Sequence, residues 1–255
     1  MKIYDIADDY VERFAARNPV SATSMGVPGH DGRMSDYSPQ GADANAALAR
    51  ETVAALEAAE PENERDRIAK DVMLDDLRTD LDIYDAGEHL RNLRVLGSPF
   101  QSLRMTFDIM PRDTEEHWRN IASRLSLVPE GLTSYRRTLD EGQRRGTSSS
   151  KRQAEECAKQ ARTWSGANGQ PSFFDSLVES FGKSGISNSA LQRDIDAGAE
   201  VAARAYADMG SYLTEKYLPG ADDRDPVGKD RYSLSSRAFN GIELDMDETS
   251  AWGWE

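Results

Sequence analysis

The side chains that could serve as nucleophile, general base or metal ligand are few in this chain and poorly grouped. There are three histidines, His30, His89 and His117. No two of them are four residues apart, so the H-E-x-x-H pattern, which sets two imidazoles and a general base on one helix face, is absent. His30 follows Pro28-Gly29 in a loop, His89 lies near the end of a predicted helix, and His117 sits in the first turn of another. Each reads as a surface histidine. The one cysteine, Cys157, falls on an apolar helical stripe among alanines and reads as a buried, inert thiol. Ser148, Ser149 and Ser150 belong to a polar linker, and no G-x-S-x-G surrounds any serine. Neither phosphate-cradling glycine pattern, G-x-x-x-x-G-K-[ST] or G-x-G-x-x-G, occurs.

Carboxylates are abundant but undiscriminating. Asp71, Asp75, Asp76 and Asp80 could line one side of a helix, where clustered acids can hold a hard cation. With 45 acidic residues in the chain, a solvated face is the simpler reading. Asp222-Asp223-Arg224-Asp225 lacks the spacing and closing glutamate of a calcium loop and reads as a turn. No catalytic, cofactor-binding or metal-ligating residue is assigned on these grounds. The net charge of -14, from 45 acidic against 31 basic residues, repels phosphate backbones and anionic membranes, so neither nucleic acid nor membrane is expected as a partner. A lone cysteine, an N-terminus interrupted by Asp5, Asp8, Asp9 and Glu12, and no uninterrupted apolar run of about 18 residues lead to a cytoplasmic expectation.

The elements that must position these groups read as helices throughout. Ile3, Ile6, Ala7, Tyr10 and Phe14 recur at helical spacing until Asn18-Pro19. Residues 20–40, broken by Gly26, Pro28, Gly29, Gly32 and Pro39, read as an irregular loop long enough to be functional or closely packed. An alanine-rich helix follows over 41–59, then a second carrying Ile68, Val72, Leu77, Leu81 and Tyr84 on a stripe. Residues 98–146 read as a helical hairpin. Thr114 caps a helix bearing Trp118, Ile121, Ala122 and Leu125, and Pro129 restarts the chain for Leu132, Tyr135 and Leu139. Asn188 then caps the longest predicted helix, a spine carrying Leu191, Ile195, Ala199, Ala202, Tyr206, Met209, Leu213 and Tyr217 until Pro219. The tail ends in residues 247–255 with Trp252 and Trp254, large aromatics that call for a partner surface. No run alternates with period two. The expectation is one all-α domain over 1–255, a multi-helix bundle of about eight helices with one long spine and no substantial sheet.

In sequence order these features resemble a bacterial family of proteins of unknown function, the domain-of-unknown-function family 885. Pro19-Val20-Ser21-Ala22-Thr23 with Gly26, Asp31, Arg33 and Asp36-Tyr37-Ser38 is similar to its N-terminal signature. Ser98-Pro99, Met110-Pro111, Thr114, Trp118, Ile121, Arg124-Leu125, Pro129, Tyr135, Leu139 and Gly146 resemble its central part. Tyr212-Leu213, Tyr217-Leu218-Pro219 and Val227-Gly228-Lys229-Asp230-Arg231-Tyr232 resemble the stretch leading to its second half.

The resemblance implies a helical protein about twice this length. It also implies likeness to zinc carboxypeptidases, with zinc held in the C-terminal half by H-E-x-x-P-G-H-H. Here Pro28-Gly29-His30 is preceded by Ser24 and Met25 where the histidine and glutamate would stand, so no ligand is carried over and no cofactor is expected in this chain. Two readings follow. The chain is the helical N-terminal portion of a metallopeptidase-like hydrolase, inactive alone, with residues 20–40 and 222–232 facing a peptide-binding cleft. Alternatively it is a stand-alone, non-catalytic helical interaction module. The expected partner is the other half of the hydrolase or a second copy, through an apolar face.

Overall fold

A computed structural model describes residues 2–254; Met1 and Glu255, the latter closing the tryptophan-bearing tail, lie outside it. Eleven α-helices follow one another: α1 (Ile3–Arg17), α2 (Pro19–Met25), α3 (Pro39–Ala58), α4 (Glu64–Asp85), α5 (Pro99–Ile109), α6 (Glu115–Arg144), α7 (Lys151–Ser165), α8 (Asp175–Gly182), α9 (Ser189–Tyr212), α10 (Lys229–Asn240) and α11 (Met246–Gly253). No strand forms among the described residues; one isolated bridge joins Ser150 and Asp222. The protein is all-α, as its periodicity requires.

The capping predictions hold. Thr114 accepts from the His117 amide, and the Asn188 side chain accepts from the amides of Ala190 and Leu191. These bonds satisfy first-turn N–H groups that a helix cannot satisfy itself.

Three details differ from expectation. Residues 20–40 are not irregular throughout, because Pro19 occupies the first turn of α2, where a missing N–H costs nothing. That short helix ends at Gly26, whose φ of 73° is a glycine conformation. Second, Pro129 does not restart the chain; it lies inside α6, at 30 residues the longest helix, exceeding the predicted spine. Ile121, Leu125 and Val128 before it and Leu132, Tyr135 and Leu139 after it stay in phase and are all buried. Their packing outweighs the roughly 3 kcal/mol that an interior proline costs. Third, Ile68 and Val72 are exposed at 51% and 57%; the buried side of α4 is carried by Leu74 and Leu77.

The chain divides into two compact units. The smaller comprises residues 1–14, 42–89 and 226–255. Ile3, Ile6, Ala49, Leu56, Ala59, Leu74 and Leu77 form its core, with Tyr10 and Met73 packed against them. The larger comprises residues 15–41 and 90–225 and is organised on α6 and α9. A Cβ at Gly198 of α9 would fall 2.8 Å from the Leu125 Cβ of α6, so the absent side chain lets these two helices approach closely. α9 passes directly into a π-helical turn, Leu213–Tyr217, and a 3-10 turn, Leu218–Gly220, so the spine ends where Pro219 places it.

Candidate functional site

A heavily bonded polar group of the larger unit is Arg124, a fully buried arginine on α6. Its guanidinium donates to the carbonyls of Pro19, His30 and Arg33 and to the hydroxyls of Thr23 and Thr106. No carboxylate touches it. Asp31 accepts from the Thr23 hydroxyl at 2.6 Å and lies one group further out. Burial lowers the arginine pKa to about 10, with Asp31 acting in the opposite sense.

Neighbouring side chains on the same edge of α6 extend this clamp. Ser123 donates to the Gly32 carbonyl, Thr138 donates to the Tyr37 carbonyl, and the Tyr37 amide donates to Ser134. Gly131 makes room for Met34: a Cβ there would lie 2.9 Å from the Met34 Sδ. Residues 19–37 are therefore laid along α6 and bonded at each step. The N-terminal signature residues Thr23, Asp31 and Arg33 all belong to this one arrangement.

A second buried polar set joins the start of α5 to α7. Ser98 and Gln101 form a reciprocal capping box. Gln101 Nε2 also donates to the Arg94 carbonyl, to Gln160 and weakly to Cys157 Sγ. Cys157 is fully buried, and its burial pushes the thiol up to about 12, far from a nucleophile's range.

Residues 222–225 are held by the N-terminus of α7. The Asp222 carbonyl accepts from the Lys151 amide, Asp225 accepts from the Ser150 hydroxyl and from Arg152, and Asp223 pairs with Lys151. The turn predicted there thus has a mechanical role. Of the two segments expected to face a cleft, residues 20–40 are seated on α6, while only the first part of 222–232 is seated on α7.

An open groove of about 490 Å³ lies in the larger unit between α8, α9 and the turn after α7. It is lined by Ser165, Gln170, Ser172, Asp175, Asp196 and Glu200, among others. Its acids are already engaged: Asp175 accepts from the Ser172 amide, Asp196 from Gln192 and Glu200 from Arg204. The groove offers polar contacts but no activated base or nucleophile among the described residues.

The histidines stay apart in their roles. His30 Nδ1 accepts from Arg33, His117 Nδ1 accepts from the Asp113 amide, and His89 stacks on Tyr84 at 4.6 Å. Among the described residues no group of three or more His, Cys, Asp or Glu is placed to hold a metal ion. Of the acids on α4, Asp71 pairs with Arg67 and Asp75 with Arg237.

The tail's tryptophans are exposed. Neither α10 nor α11 buries a residue, and Phe239, Trp252 and Trp254 stand 90%, 73% and 90% exposed. Sequence reasoning placed the tail's aromatics but not its two helices, which are short and weakly patterned. It also named Arg124 only as part of a motif. The signal was available: Arg124, Ser134 and Thr138 recur along one edge of α6 beside the apolar stripe.

Among the described residues no helix is long and apolar enough to cross a membrane. No curated protein matches the chain. Among solved structures, the crystal structure of "the putative lipoprotein from Colwellia psychrerythraea" superposes with a TM-score of 0.72 at 15% identity, over 95% of this chain and 47% of that one. The fold is shared, and the chain spans about half the length of that relative. The family model described as "Bacterial protein of unknown function (DUF885)" matches residues 19–255, a span that opens at the proline of α2 and takes in the Arg124 clamp, and the chain belongs to that bacterial family.

Proposed function

We propose that this chain is the helical N-terminal portion of a metallopeptidase-like hydrolase. It builds one wall of a peptide-binding cleft, while metal and general base come from residues outside it. The chain's own residues do not fit a zinc centre, since no set of ligands converges among those described and the sequence holds no H-E-x-x-P-G-H-H. The observation that carries the reading is the surface of α10 and α11, where Phe239, Trp252 and Trp254 project with nothing packed over them. Exposed rings of that size lower the free energy when covered. The half-length coverage of the related fold supports a second polypeptide portion as the cover. A second copy of this chain is the other occupant of the same surface. The lone thiol is consistent with a cytoplasmic setting in this reading.

The chain alone, supplied with zinc, is expected to show no peptidase turnover, to bind an apolar dye, and to self-associate in sedimentation. Turnover abolished by a chelator would place the reactive centre within these residues and overturn the proposal. A monomer that binds no dye would favour the alternative, a stand-alone helical interaction module. The well-satisfied polar interior around Arg124 and Gln101 speaks for that module.

A further inference from the structure

The smaller unit holds its C-terminal segment in an unusual way. α10 buries none of its residues, yet it lies along α4. The bonds across that contact are ionic. Arg231 donates from Nε and Nη2 to both oxygens of Glu88, at 2.6 and 2.7 Å. Arg237 reaches two carboxylates one heptad apart on α4, Asp75 at 3.1 Å and Asp82 at 3.3 Å. The two arginines stand six residues apart, so α10 is held at two points, on α4 by Arg237 and at the 3-10 turn Glu88–Arg91 by Arg231. At the far end of α10, Lys229 pairs with Asp247 and draws in the start of α11.

We propose that α10 is a detachable strap, latched by Arg237 to the acidic face of α4 and by Arg231 to Glu88 in the turn beyond it, and released by rising ionic strength. The carboxylates of Asp75 and Asp82 are about half exposed and Glu88 is 18% exposed, so salt screens the Arg237 pairs first and the Arg231 pair less strongly, over about 10 Å at 0.1 M and about 3 Å at 1 M, whereas burial of apolar surface persists. A helix of 12 residues has little stability of its own in water, so release unwinds it. Release also frees Phe239, Trp252 and Trp254 from a fixed presentation and turns a rigid surface into a mobile arm. The latch concerns what holds the segment, and it stands whether or not another polypeptide covers its rings.

Hydrogen exchange of the whole chain at about 50 mM and about 1 M sodium chloride tests it. Amides of α10 are expected to lose protection by about tenfold or more at high salt, while those of α6 do not change. Arg231→Gln with Arg237→Gln should give the high-salt exchange of α10 already at low salt and erase the dependence. Charge exchange, Arg231→Glu with Glu88→Arg, should restore much of the protection. Equal α10 protection at both salts in the unaltered chain overturns the proposal, as does full protection in the double variant. Should the double variant unfold, seen as lost protection in α6, the salt comparison on the unaltered chain still decides.

Discussion

Phe100, Trp164 and Tyr206 meet in the larger unit at ring separations of 5.0–5.7 Å, and Phe174 joins them against Tyr206. The core of the smaller unit is aliphatic, built on Ile3, Leu56, Leu74 and Leu77 with Tyr10 at its edge. Across its helices run charged links instead: Arg13 to Glu51, Arg50 to Asp85, Arg78 to Glu57 and Arg237 to Asp75. The two units thus use different physics. One buries rings and bonds Arg124 and Gln101 into fixed interior sets, with its ion pairs kept to its surface. The other spreads modest apolar burial and adds exposed pairs, each contributing little and all of them screened.

Changes to the larger interior test that contrast most severely. Arg124→Leu leaves the carbonyls of Pro19, His30 and Arg33 without their donor. It is expected to cost about 4 kcal/mol, read as a lower urea midpoint with an unchanged slope. A loss below about 1 kcal/mol would mean that residues 19–37 are held by packing alone.

Cys157 gives a chemical reading of the same interior. Burial both hides the thiol and pushes its pKa up, so at pH 8 alkylation in the folded chain should be slower by orders of magnitude than after unfolding. The rate should be indifferent to salt, because the thiol reports only on the larger unit. Acceleration by salt would erase the distinction between the units.

Matched truncations sharpen the comparison further. Leu125→Ala in the larger core should cost about 4 kcal/mol and Leu77→Ala in the smaller about 2, because a thinner core collapses more readily around a deletion. Equal costs, measured by denaturant unfolding, would show that the smaller core is packed as tightly.

The mildest test is acidification. Asp225 is held below its ordinary value of 3.8 by Arg152 first and then by the Ser150 hydroxyl. A depressed carboxylate contributes stability that is complete above its unfolded pKa and fades as pH falls through the folded one. The bridge between Ser150 and Asp222 should therefore hold at pH 5 and loosen only below about pH 3.8, as hydrogen exchange at Lys151 would report. Loosening already at pH 5 would discount the Arg152 pair.

How much of this was legible in the sequence depended on whether the deciding force was local. The caps at Thr114 and Asn188 were readable because a side chain two or three residues away makes the bond. The stop at Asn18 was readable because proline constrains its neighbour. Pro129 misled because the local penalty was real but smaller than the packing of Leu125 and Leu132 on either side of it. Ile68 and Val72 misled for a related reason: they share the predicted stripe with Leu77, but tertiary contact buries Leu74 and Leu77 and leaves those two exposed. The Arg124 clamp was present as a motif, but its meaning needs carbonyls about 90 to 105 residues away.

The close seam between α6 and α9 has a mechanical consequence. With Gly198 set against the Leu125 side chain, only one helix contributes a side chain at this point, and the two backbones come closer than two facing side chains would allow. At about 1.5 Å per residue they run some 45 and 36 Å. Such a tight seam fixes the spacing of the two rods at their middle and makes the pair a stiff beam on which the shorter helices of the unit are hung.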